Sequence, residues 1–220
     1  SRDDVVVDID ADRLAGRMKQ YLDPARTDAE ITVLMPGAMD PSGQFDPAAT
    51  RKRLLKQGFR HEAIRPYLYR PMDMRWIYWE SEAGLLDRSR EEYVPHLFRG
   101  NWWLSAGQRN RKEDFYQPQF TTALADHHLV ESNVGMFPLY LNPAFAEVSL
   151  LGVAPKEIGL PNLSPEAFEF IENLPAPEQA LFFHTLAVLH APSYRMENKG
   201  ALRQDWPRVP LPRTATRLMA

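Results

Sequence analysis

An α+β fold, with a mixed or antiparallel, aromatic-rich central sheet flanked by N-terminal and C-terminal helices, is the class this sequence predicts. Three observations carry it. Leu14, Met18, Tyr21 and Leu22 near the start, and Leu181, Thr185, Leu186 and Leu189 near the end, each fall on one face of a 3.6-residue period. Between them, residues 67–104 hold four of the five tryptophans (Trp76, Trp79, Trp102 and Trp103) together with Tyr67, Tyr69, Tyr78 and Tyr93, residue types that suit a pleated surface. The resulting order of helices, sheet and helices, with no internal repeat, is that of an α+β chain.

Each element has its own local reason. Val5-Val6-Val7 with Ile9 reads as a short strand ahead of the first helix. Residues 35–45 are rich in turn formers and predict a loop. Asp46-Pro47 then supplies an N-cap and a first-turn proline, and Gly58 ends that helix. Arg75 to Trp79 reads as a strand, with bulky residues on both faces. Gly100-Asn101 is turn-prone ahead of a strand at Trp102-Trp103-Leu104. Further strands are expected within 118–130 and from Met136 to Leu141. Ser164-Pro165-Glu166 opens one late helix and another begins near Pro177. Residues 206–212, with three prolines alternating with other residues, are excluded from helix. The division expected is a helical lead-in, 1–60, and a main domain, 61–220, or one continuous domain.

The bulk composition narrows the class. At 44% hydrophobic and 25% charged, 220 residues suffice for a sizeable core. The absence of cysteine excludes a disulfide scaffold and a thiolate metal site, and it suits a reducing cytoplasm. No apolar run approaches the ~20 residues of a membrane helix. Ser1-Arg2-Asp3-Asp4 is neither a signal peptide nor an initiator sequence, so the chain is expected to be cut from something longer. The net charge of −3 argues against a free-standing nucleic-acid binder, which ordinarily carries a basic excess. It fits a module tethered to a partner that grips most of the phosphates.

Six blocks, in order, carry a family resemblance. Tyr67 to Tyr78 (YLYRPMDMRWIY) is similar to the YRPFDxRWxYY signature of type ISP and related methylase-helicase restriction enzymes, with Met72 where phenylalanine is usual. Leu85 to Arg90 resembles the LxDRPR segment that follows, with Ser89 replacing proline. Phe137 to Leu141, Pro161 to Ser164, Leu186 to Arg195 and Asp205 to Pro210 resemble FPLYL, PNLS, xYAILHSPxYR and DFPRIP. The resemblance implies a C-terminal target-recognition domain of a prokaryotic, cytoplasmic restriction-modification enzyme. It further implies an upstream domain of the same polypeptide that methylates adenine N6 with S-adenosylmethionine, and double-stranded DNA as partner.

The chemistry of such a parent is not expected in this chain, for which no catalytic, cofactor or metal residue is assigned. Asn142-Pro143-Ala144-Phe145 approaches the methylase tetrapeptide but has alanine for its second proline, and it reads as a turn. Neither Gly16 nor Gly37 sits in a glycine-rich loop after a strand, and no GxxxxGK[ST] phosphate loop is present. Asp126-His127-His128 with Glu131 invites a metal, but adjacent residues of a strand point to opposite faces. His184 and His190, six apart on a helix, form no joint site, and His190 is expected to meet the last helical carbonyls.

Base readout needs arginine for guanine or an amide for adenine. Ser105 to Lys112 (SAGQRNRK) combines such side chains with basic ones. Gln108, Arg109 and Asn110 are the candidate base readers, and Ser105, Arg111 and Lys112 the candidate phosphate contacts; a solvated basic loop is the alternative. Arg88 and Arg90 either touch phosphate or pair with Asp87, Glu91 or Glu92. Arg70 and Arg75, amid aromatics, are read as stacked or ion-paired, and the tryptophans as mainly core. Two other roles compete: a protein-docking domain that packs on the methyltransferase or a partner without reading bases, and a small enzyme built on Asn142 and the histidine pair.

Overall fold

The computed structural model describes residues 2–43, 45–87, 89–109, 115–130, 134–144, 159–172 and 178–213. The chain divides into two compact units, Ser1–Glu92 and Tyr93–Ala220. Both mix helices with antiparallel strands, which is the α+β class.

In the first unit, α1 (Arg2–Val6) and β1 (Val7–Asp8) replace the strand expected over residues 5–9. Asp3 and Asp4 in the first turn favour a helix there, and Ile9, at 69% exposure, lies outside any core. Helix α2 (Ala11–Tyr21) is capped by Asp10, which accepts from the Arg13 N–H, and it buries Leu14, Met18 and Tyr21. Helix α3 (Asp28–Leu34) opens on a reciprocal capping box between Thr27 and Glu30. Helix α4 (Pro47–Gln57) starts after the Asp46 N-cap and ends at Gly58, whose φ of 72° and ψ of −179° suit glycine almost alone.

Two arginines bind this unit from within. The buried Arg51 of α4 donates to the carbonyls of Tyr21, Asp23 and Arg26 and to the Asp28 carboxylate, so one guanidinium fixes the end of α2 and the start of α3. Arg17 donates to the carbonyls of Val5 and Val7 and to Asp8.

The strands of this unit are antiparallel, with β3 (Asp73–Tyr78) between β1 and β2 (Ile64–Arg70). Leu68 pairs with Met74 but Arg70 with Asp73, so Tyr69 is the extra residue of a bulge. The turn Pro71-Met72 follows, with Met72 at φ 63° and 96% exposed. Proline followed by a left-handed residue is the combination of a type II turn. The guanidiniums of Arg70 and Arg75 lie 4.0 and 4.2 Å from the Tyr69 ring centroid, and Arg75 is paired with Asp73 at 2.7 Å. These arginines are thus stacked and ion-paired, as expected.

In the second unit, β4 (Trp103–Gly107) is the central strand between β5 (Gln119–Thr121) and β7 (Val134–Pro138), both antiparallel to it. A short strand, β6 (Leu124–Ala125), lies between β5 and β7 in the chain, and β8 (Tyr140–Leu141) pairs with β9 (Leu160–Pro161). The expected late helices form as α5 (Pro165–Glu172) and α6 (Glu178–His190), followed by the short α7 (Pro192–Glu197) and α8 (Lys199–Leu202). Asn101 closes the expected turn, its N–H bonding the Phe98 carbonyl, and is also fully buried: its side-chain amide donates to the carbonyls of His96 and Tyr140 and accepts from the Tyr140 N–H. The aromatic core is real here, with Trp103 wholly buried and Trp102 packed against Phe120, Phe182 and Phe183. Among the described residues, no helix is long and apolar enough to cross a membrane.

Candidate nucleic-acid interface

Strand β4 delivers the segment that sequence reasoning singled out. As the middle strand it is covered on both faces, with Trp103, Leu104, Ser105 and Ala106 all buried, and it reaches the surface only after Gly107. Ser105, expected at phosphate, is fully buried and its hydroxyl donates to the Gln119 carbonyl at 3.2 Å. It sits inside the β4–β5 ladder, too early in the strand to face solvent, and offers no surface to a phosphate. Gln108 and Arg109 emerge exposed at the end of the strand. Asn110, Arg111 and Lys112 lie outside the described residues, as does Arg88. Arg90 is half-buried in the first unit, at φ 52°.

Gln108 has a partner far away in sequence. Its Nε2 donates to Asp205 Oδ1 at 3.2 Å. The Asp205 carboxyl is held below its usual range by the Trp206 backbone N–H first, then by Gln108, with Arg208 and Arg109 adding favourable charge. It is therefore an ionised acceptor at neutral pH. The extended segment that carries it, 205–211, is pinned along its length. The Trp206 ring meets Phe137 edge-on at 5.3 Å and closes over Gly135, where an added Cβ would stand 3.3 Å from it. The Tyr194 hydroxyl donates to the Arg208 carbonyl, Val209 packs on Leu189, Tyr194 and Leu202, and His184 Nε2 bonds the Pro210 carbonyl at 2.8 Å. Phe137 and Trp206, at 40% and 39% exposure, leave part of each ring open. Sequence reasoning read this proline-rich stretch as irregular and missed Asp205; a carboxylate 97 residues from its amide partner leaves no local signal.

The competing chemistries find structural employment instead. Asn142 makes an Asx turn with the Ala144 N–H, donates its amide to the Pro95 carbonyl, and gives its backbone N–H to His96 Nδ1, whose pKa burial pushes down. Asp126-His127-His128 is a turn rather than a strand: Asp126 accepts from the His128 N–H, and the two imidazoles meet edge-on at 4.8 Å instead of diverging. Glu131 lies outside the described residues, among which no group of three potential ligands is arranged to hold a metal. His190 bonds the Pro118 carbonyl at 2.8 Å rather than the helix end, and so ties α6 to the approach to β5. Gly16 lies inside α2 and Gly37 follows α3, so neither forms the strand-to-helix loop that S-adenosylmethionine would require.

Comparison with known proteins supplies the remaining finding. The family model described as the Type ISP C-terminal specificity domain matches residues 1–218. No curated protein matches. Among solved structures, a DrdV–DNA complex covers 99% of the chain at 21% identity and a TM-score of 0.67. The ATP-dependent Type ISP restriction-modification enzyme LlaBIII, bound to DNA, covers 99% at 17% identity and a TM-score of 0.65. A nuclease-deletion mutant of the Type ISP enzyme LlaGI, in complex with a DNA substrate mimic, covers 99% at 18% identity and a TM-score of 0.58. The chain spans 21%, 14% and 20% of those three chains, respectively.

Proposed function

The chain belongs to the Type ISP C-terminal specificity domain family, and from that premise we propose that it selects the DNA sequence on which a longer restriction-modification polypeptide acts. The observation that carries the reading is the family match over residues 1–218. The DNA present in the complexes of DrdV, LlaBIII and LlaGI supports it. Within the chain, Gln108 and Arg109 at the surface end of β4 are the base readers proposed, because an amide suits adenine and a guanidinium suits guanine in the major groove. Asn110 is proposed to read with them, and Arg111, Lys112, Arg88 and Arg90 to hold phosphates. The parent is proposed to be a DNA adenine N6-methyltransferase. Its S-adenosylmethionine is proposed to be held outside this chain.

The test is sequence selection from a random duplex library by the intact polypeptide. Gln108→Ala and Arg109→Ala should each lower the preference for the selected site over single-base variants by about 5- to 150-fold at one base pair, the range for one good bidentate contact. Unchanged selectivity in an Arg109→Ala, Arg111→Ala, Lys112→Ala triple variant would sink the assignment and favour a domain that only docks on its neighbours.

A further inference from the structure

Gln108 reads an adenine edge only if its amide points the right way, because the donor and acceptor ends must meet N7 and N6 in that order. A glutamine amide is nearly symmetric in shape, and a free one rotates between the two orders. In this chain the symmetry is broken. Asp205 carries two acceptor oxygens and no donor when ionised, so only the Nε2 end can face it. The second N–H and Oε1 of the same amide bear no other hydrogen bond among the described residues, and Gln108 is exposed. One donor and one acceptor are thus presented outward in a defined order.

We infer that Asp205 is a specificity-determining residue that acts by positioning: it fixes the amide orientation of Gln108 and so decides which order of donor and acceptor the DNA meets. The inference rests on the proposal that Gln108 reads a base. The segment that carries Asp205 is built to hold it still. Trp206 is wedged against Phe137 and Gly135, and the next turns of chain are tied down by Tyr194, Val209 and His184. The interaction lies at the surface, where one 3.2 Å hydrogen bond contributes little to folding, so its worth is in orientation.

Asp205→Asn is the informative change. It keeps the shape but gives position 205 a donor as well as an acceptor, and both orientations of Gln108 then become satisfiable. On the site selected by the wild-type polypeptide, Asp205→Asn and Asp205→Ala should reduce discrimination about tenfold at the same base pair that Gln108→Ala affects. Affinity for non-cognate duplex should hold or rise, because either variant removes a negative charge from beside the phosphates. Tyr194→Phe, which removes one tie at Arg208 while Trp206 still holds the residue next to Asp205, should lower discrimination less than either Asp205 variant. Full discrimination in both Asp205 variants, with loss in Gln108→Ala, would overturn the inference while leaving Gln108 a reader. No loss in Gln108→Ala would remove the underlying reading instead. An equal drop in affinity for every duplex in the Asp205 variants would also overturn it, by making Asp205 a brace for the segment and nothing more.

Discussion

At the scale of single residues, Asp8 is a heavily committed carboxylate of the first unit. Its side chain is buried and held by Arg13 and Arg17, with the Asp10 N–H as a further donor. The hydrogen bond from Arg13, above all, holds its pKa far below the usual carboxylate range, against the opposing effect of burial. A depressed folded pKa means that the stability it confers is complete above the unfolded value, near about 4, and is lost as pH falls through that value toward the folded one. The urea midpoint of the wild type should therefore fall more steeply between pH 5 and pH 2 than that of Asp8→Asn. Equal slopes would show that the cluster contributes no linkage. Neither Asp8 nor Arg51 could be singled out from sequence, because each gains its importance from groups that folding brings to it: the guanidiniums of Arg13 and Arg17 for Asp8, and the carbonyls of Tyr21, Asp23 and Arg26 for Arg51.

At the scale of elements, legibility followed locality. Asp46, Pro47 and Gly58 mark both ends of α4 in the residues themselves. Helix α3 was open to the same reading, since Thr27 and Glu30 stand three apart as a capping box requires, but its single buried residue, Ile31, left no periodic stripe to draw attention. The valine run at residues 5–7 misled because β-branched residues favour strands on average, while here first-turn aspartates and burial against a neighbouring helix decide for one turn of helix. The β2–β3 hairpin shows a different tension. Met72 holds a left-handed backbone with no buried side chain to offset it. Met72→Gly should raise stability by about 0.5 kcal/mol, the relief of the left-handed strain less the added freedom of glycine in the unfolded chain. Chemical denaturation checks this, and a fall in stability would mean that the methionine packs more than its exposure suggests.

At the scale of the whole molecule, the net charge of −3 shapes how DNA binding should respond to salt. With few cations proposed at phosphate, each weighs heavily in the slope of log affinity against log salt concentration. Arg111→Ala with Lys112→Ala should make that slope about 2 less steep, near one unit for each phosphate no longer neutralised, without changing which sequence is preferred. A slope that did not move would place the phosphate-binding cations elsewhere in the polypeptide. The fold class was legible because composition and period change along the chain, from the stripe of α2 to the tryptophans of β3 and β4 and back to α6. The candidate site was half legible. Gln108 and Arg109 declare their chemistry in the residues, whereas the burial of Ser105 follows from β4 being a central strand, and Asp205 needs the folded chain to reach Gln108.

The tip of the β2–β3 hairpin has one more use. The sequence holds no cysteine, so Met72→Cys would create the sole thiol of this chain, on a two-residue turn at a position 96% exposed. A maleimide dye or spin label placed there would sit on a short hairpin rather than a long loop, and it would report distances to a labelled duplex with little wander of its own.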